Sequence, residues 1–185
     1  SSDGVEITST DLPTASITLY AHWEYHPETT FIQGITVNKK LKTLAGNISA
    51  DFNTDDSNIE QIVKASALPQ NFTPTDDNIL STNDSDEPLY AWYDNEVIYY
   101  YTDAEKINLN TSSSNMFRQM LSLQSIEGIE NWNSSNAQNM YCMFFNTGRN
   151  ATTFSLDLST WDVSNATDME LTFAYTAYNS TTFSL

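Results

Sequence analysis

A single cysteine, two histidines and five glycines among 185 residues leave little from which to build several kinds of site. One cysteine, Cys142, cannot form an internal disulfide framework, so cysteine usage assigns no redox compartment. Two histidines with one cysteine do not make a zinc site of any usual spacing. A Cys/His nucleophile would need His22 or His26 brought beside Cys142, across most of the chain. Five glycines supply no phosphate-cradling loop. Basic side chains are also scarce: seven Lys and Arg face 24 Asp and Glu, a formal charge of −17. That balance repels nucleic acid and anionic lipid at long range. No apolar run approaches the ~18 residues of a membrane span, and no charged-then-apolar leader opens the chain.

What is present is a repeat. Shifted by 29 positions, Trp132 falls on Trp161, Ser135-Asn136-Ala137 on Ser164-Asn165-Ala166, Met140 on Met169 and Phe144 on Phe173. Thr152-Thr153-Phe154-Ser155-Leu156 likewise meets Thr181-Thr182-Phe183-Ser184-Leu185. A fixed period of this length marks stacked supersecondary units, none of which buries its apolar side chains alone. Phe154, Leu156 and Leu158 alternate as in a short strand. Ala166, Met169 and Phe173 have the i, i+3, i+7 spacing of a short helix or helical turn. One strand and one helical segment per unit is the format of a leucine-rich-repeat coil, with Ser155, Asp157 and Ser159 expected on the exposed face of the stacked sheet. The matched pairs Trp132/Trp161, Met140/Met169 and Phe144/Phe173 read as core, and so does Cys142, whose counterpart is Leu171. Positions that differ between copies, such as Glu127 and Glu130 against Leu156 and Ser159, are where recognition would lie.

Ahead of the repeats the chain divides into a strand-like stretch 1–23, a linker 24–34 around His26-Pro27, and a mixed segment 35–111. Ile35 to Gly46 alternates like a strand, with Lys39, Lys40 and Lys42 on a solvated face. Asn53 to Leu68 predicts a helix: Ser57 and Glu60 have capping-box spacing, Asp55-Asp56 suit the positive helix end, and Ile59, Ile62, Val63 and Ala67 share a face before Pro69. The acidic stretch 70–88, with Asp76, Asp77, Asp84, Asp86 and Glu87, is a loop. Leu89 to Thr102 is a β-hairpin turning at Asp94-Asn95, dense in aromatic residues.

No carboxylate pair is marked out for acid–base work. Asp51, Asn53 and Asp55 reproduce the first ligand spacing of an EF-hand loop, but Asp56 and Ile62 stand where glycine and a bidentate glutamate are needed. No catalytic, cofactor-binding or metal-ligating residue is assigned on these grounds. Asn47, Asn150, Asn165 and Asn179 are glycosylation sequons, which matter only in a host that modifies them.

Two family resemblances extend the reading. Asp3-Gly4-Val5-Glu6-Ile7-Thr8-Ser9-Thr10, Leu12-Pro13 and Ile17-Thr18-Leu19-Tyr20-Ala21-His22-Trp23 resemble the closing half of a Listeria–Bacteroides (internalin B-type) repeat, which implies the tail of a β-grasp spacer at 1–23. Ser114-Asn115-Met116-Phe117, Leu123-Gln124-Ser125-Ile126, Asn131-Trp132, Ser134 to Met140, Met143-Phe144 and Leu156-Asp157-Leu158-Ser159-Thr160-Trp161-Asp162-Val163-Ser164-Asn165-Ala166-Thr167-Asp168-Met169 resemble BspA-type leucine-rich repeat surface proteins. With Lys42 to Asn47 and the Tyr90 to Asn95 hairpin segment, that resemblance covers about 37–185. It departs from the family phrase at Leu171-Thr172-Phe173 and in the Thr147–Thr153 insertion.

The expected fold is therefore α+β of repeat type: a β-grasp fragment, an α+β N-terminal cap at 35–111 holding one helix and the hairpin, and a leucine-rich-repeat-like solenoid at 112–185. The last repeat stops in mid-unit, which suggests a fragment of a longer protein. The resemblances imply an extracellular, surface-displayed adhesion or protein-interaction module without catalysis. Its ligand would be a protein or glycan, as on a host surface or matrix. The alternatives are a glycan-binding module stacking sugars on Trp92, Tyr93, Tyr99 and Tyr101, and a purely structural stalk.

Overall fold

The computed structural model describes residues 24–184; the β-grasp tail expected at 1–23 lies outside the described residues. Among the described residues the fold is mixed, with one α-helix and two sheets of short strands. In chain order come β1 (Glu28–Thr30), α1 (Gly34–Leu44), β2 (Gln61–Lys64), β3 (Tyr90–Asp94), β4 (Val97–Tyr101), β5 (Lys106–Asn108), β6 (Ser125–Ile126), β7 (Trp132–Asn133), β8 (Thr153–Ser155) and β9 (Thr182–Ser184). Strands β1, β5 and β7 form a parallel sheet, so the stretch expected as a linker supplies an edge strand. The larger sheet has the order β3-β4-β2-β6-β8-β9, antiparallel at β3–β4 and parallel elsewhere.

The cap exchanges the two expected elements. Gly34–Leu44 is a helix where a strand was expected, because its buried face is Gly34, Val37, Asn38, Leu41 and Lys42, at helical spacing but partly polar. Asn38 donates to the carbonyls of Met116 and Arg118, and Lys42 to those of Asp51 and Thr54. An apolar pattern search passes over such a face; Ile35, which helped suggest alternation, is 37% exposed. Conversely, the helix expected at 53–68 is replaced by a turn and β2. The Asp56 carboxylate accepts from the backbone N–H of Asn58 and Ile59, so it closes a turn in place of the Ser57/Glu60 capping box. Ile62 then pairs with Ile98 of β4 and Ile126 of β6, and all three are buried. Hydrogen-bonding partners on both edges outweigh a weak local helical preference.

The hairpin forms as expected, shifted by one residue at the turn. Asn95 and Glu96 both have positive φ (49° and 67°), the geometry of a tight two-residue loop that follows strand twist. Ala91, Ile98 and Tyr100 face the core.

In the repeat region the period becomes a register. Thr153 pairs with Thr182, Phe154 with Phe183 and Ser155 with Ser184, each 29 positions apart. The second half of each unit is not helical. The N–H groups of Met140, Cys142, Phe144 and Asn146 donate to the carbonyls of Asp168, Glu170, Thr172 and Ala174, while those of Met143, Phe145 and Thr147 close turns onto the residue three before them. Cys142, Asn146, Leu171 and Tyr175 accordingly hold φ between 52° and 59°, which no α-helix contains. The i, i+3, i+7 spacing thus served a ladder of consecutive turns. Side chains from this ladder stack in a column: Phe117 on Phe144 at 5.3 Å and Phe144 on Phe173 at 5.4 Å, with Trp132 beside Phe117 at 6.3 Å. Trp132, Met140, Cys142 and Phe144 are buried as expected. Their counterparts Met169 and Phe173 are 41% and 37% exposed, at the far end of the stack.

Gly34 is where α1 meets the first rung of this ladder. A Cβ there would lie 2.6 Å from the Ser113 carbonyl carbon and 2.7 Å from the Ser113 and Ser114 oxygens, all backbone atoms that cannot swing aside. In an ordinary helix Gly→Ala stabilises by roughly 0.5–1 kcal/mol. Here Gly34→Ala is expected to destabilise by about 1–3 kcal/mol through overpacking. A urea titration showing Gly34→Ala to be the more stable protein would contradict the close approach.

Candidate functional site

Strands β2, β6, β8 and β9 present one continuous outer face. Alternation sends Phe154 inward, where it is 2% exposed, and leaves Thr153 and Ser155 outward. Parallel pairing then aligns Ser125, Ser155 and Ser184 in one row and Thr153 with Thr182 in the next. With Gln61, Gln124, Phe154 and Phe183 they line an open groove of about 360 Å³. The lining offers hydroxyls and amides beside two phenylalanines, and no charged group. Glu60, hydrogen-bonded by Gln124 at 3.1 Å, sits beside it without lining it.

Of the three residues expected on this face, the structure places only Ser155 there. Asp157 and Ser159 lie past the strand end, where the Ser159 hydroxyl and N–H both donate to the Asp157 carboxylate and hold it below the usual carboxylate range. Gln61 was missed because its segment read as helical; the recurrence of Thr-Phe-Ser at 153–155 and 182–184 was the available signal.

The aromatic hairpin spends its ring faces largely on its own structure. Trp92 stacks on Tyr99 at 5.7 Å, and Phe72 from the 70–88 loop packs on both Tyr90 and Trp92. The Tyr93 hydroxyl donates to the Asn58 carbonyl and that of Tyr101 to Asp103. Tyr100 is 2% exposed; it donates to the Glu127 carbonyl and accepts from Trp132, and burial pushes its phenol up to about 12.

The loop with EF-hand-like spacing has an internal cation of its own. Lys42 is fully buried, and its ammonium donates to the Thr54 carbonyl at 2.7 Å and the Asp51 carbonyl at 3.2 Å. Burial pushes it down to about 8, opposed by Asp56, Asp51 and Asp55. Asp56, 3% exposed, is pushed up by burial against its two N–H donors and the Lys42 charge. The Asp51 side chain is engaged by the N–H of Asn53. Among the described residues no group of three or more His, Cys, Asp and Glu is arranged to hold a metal ion. Within 70–88, the Asp86 carboxylate accepts from the Glu28 N–H, and Lys40 bonds the Asp76 and Ile79 carbonyls.

Residues 96–184, which run from the hairpin turn through β9 and carry three of the four strands of the polar face, match the family described as Mycoplasma protein of unknown function, DUF285. The match covers just under half of the chain. No curated protein matches the chain, and no solved structure does. Among the described residues, no helix is long and apolar enough to cross a membrane.

Proposed function

We propose that this chain is a non-catalytic interaction module of a surface-displayed protein, and that it binds a protein partner through the polar face of β2, β6, β8 and β9. The observation that carries this reading is the groove itself: an uncharged row of hydroxyls and amides with two phenylalanines, in a chain of net charge −17, held in register by backbone pairing. Such a face offers hydrogen bonds at fixed strand spacing to an extended or flat partner and needs no reacting group. The BspA-type resemblance supports the same reading: repeated units would form a leucine-rich-repeat-like solenoid that displays the face, outside the cell.

The test is binding of the intact chain to a panel of purified extracellular matrix and host-surface proteins by biolayer interferometry. Ser155→Arg puts a long charged side chain in the middle of the face without touching the core. It is expected to weaken binding by at least about tenfold, the effect of losing roughly 1.4 kcal/mol. Unchanged affinity in that variant would remove the groove from the reading. A bond-breaking or group-transfer activity abolished by one substitution would remove the non-catalytic part.

A further inference from the structure

On the side of the turn ladder lies a second surface, built from different chemistry. Both arginines of the chain are on it. The Arg118 guanidinium lies over the ring of Phe145 at 4.7 Å and that of Phe52 at 5.5 Å. The Arg149 guanidinium lies over Tyr175 and Tyr178, 5.8 Å from each centroid. Phe145 meets Tyr175 at 5.6 Å and Tyr175 meets Tyr178 at 6.1 Å, which joins the two arginine sites into one stripe across successive coils. Tyr175 and Tyr178 are 55% and 66% exposed.

Charge makes this stripe unusual. In a chain with 24 acidic residues and seven basic ones, neither arginine has a carboxylate within ion-pair distance among the described residues, where the ion pairs involve only His26 and Lys106. Arg118 donates to the Asn115 side chain, and its buried Nε has no partner. The Arg118 fork is thus partly spent and buried, whereas the exposed Arg149 guanidinium, over its two tyrosine rings, has no side-chain hydrogen bond among the described residues, and such a planar fork fits a carboxylate through two parallel hydrogen bonds. The exposed tyrosine rings beside it offer flat, polarisable faces of the kind that pack on the C–H face of a pyranose.

We propose that the Phe52–Arg118–Phe145–Tyr175–Arg149–Tyr178 stripe is a binding site for a carboxylated saccharide, with a uronate carboxylate on the exposed Arg149 guanidinium edge and sugar rings against Tyr175 and Tyr178. A carboxylate alone would need only the arginines, and a neutral sugar only the rings; the pairing of both favours a sugar acid. The net negative charge of the chain opposes approach at long range, but screening confines that field to about 8 Å at physiological ionic strength, so contact groups decide affinity.

The experiment titrates the full chain by isothermal calorimetry with trigalacturonate, with the neutral trisaccharide galactotriose and with triglutamate peptide. Trigalacturonate is expected to bind at least about tenfold more tightly than either control. Arg149→Gln and Tyr178→Ala, both at exposed positions, are expected to weaken it about tenfold each, and Arg149→Lys, which keeps the charge but loses the fork, by several-fold. Ser155→Arg, on the strand face, is expected to leave it unchanged, so this site and the groove stand or fall separately. Failure to bind trigalacturonate, equal binding by Arg149→Gln with an unchanged thermal midpoint, or triglutamate binding as tightly would overturn the proposal, the last pointing to acidic peptide.

Discussion

Phe144→Ala is expected to destabilise the protein by about 3–5 kcal/mol, the usual range for removing a fully buried aromatic ring. Phe144 is wholly inaccessible and lies between Phe117 at 5.3 Å and Phe173 at 5.4 Å, the latter nearly parallel at 4°. Trp161 packs beside it at 6.4 Å. Truncation therefore loses transfer free energy, opens a cavity and breaks the column at its middle ring. The surrounding turns resist collapse into the gap, because their N–H groups are bonded from one repeat to the next. Phe173→Ala, at a position 37% exposed, should have a clearly smaller effect, since less area returns to water. Urea unfolding of both variants measures the difference. A loss below about 1 kcal/mol for Phe144→Ala would mean that the column is not a packed core.

Lys42→Ala is the second large effect, expected at about 2–4 kcal/mol near neutral pH, from the cavity left by a fully buried side chain and the loss of its two hydrogen bonds. It takes the donor from the Asp51 and Thr54 carbonyls and removes a favourable positive charge near buried Asp56. Lys42 also gives a signature in pH. Its folded pKa is about 8, below its ordinary 10.5, so between those values the unfolded chain binds the proton more tightly than the folded one. Its contribution is fully present above 10.5 and is lost as pH falls through 8, so stability should climb with pH across that window, by at most about 3 kcal/mol from this group. The neutral amine keeps two N–H donors for its two carbonyls. Tyr100 acts in the opposite sense above pH 10, because its phenol is pushed up to about 12 and the unfolded chain releases that proton first. The climb should therefore be clearest between pH 8 and 10. Denaturant midpoints at pH 7, 8, 9 and 10 test it. The rise should be present in the native protein and absent in Lys42→Ala; parallel curves for the two proteins would refute the assignment to Lys42.

Lys42 also marks a boundary in what could be read in advance. The triad Lys39, Lys40 and Lys42 read as a solvated face, because a lysine is buried only where several acceptors converge. Those acceptors, the Asp51 and Thr54 carbonyls, are supplied by a loop whose path the local sequence does not specify. Asn38, which reaches Met116 and Arg118 across nearly half the chain, is the same case. The Arg–aromatic stripe was invisible for a related reason: its members are scattered from Phe52 to Tyr178 and meet only in the folded chain.

By itself the sequence determined what depends on short spacing or on exact recurrence. The hairpin, the burial of Cys142, Met140, Phe144 and Trp132, and the pairing of Thr153 with Thr182 all follow from alternation or from the 29-residue period, because a recurring apolar residue finds its own copy one unit along. Tertiary structure decided the rest. It made 34–44 helical and 61–64 extended, because hydrogen-bond partners from distant segments outweigh local propensities of a few tenths of a kcal/mol per residue. It also turned the expected helical segment of each repeat into a ladder of turns, where N–H groups of one repeat find the carbonyls of the next. That ladder carries the arginines and tyrosines of one surface, as the strand register carries the hydroxyls and amides of the other.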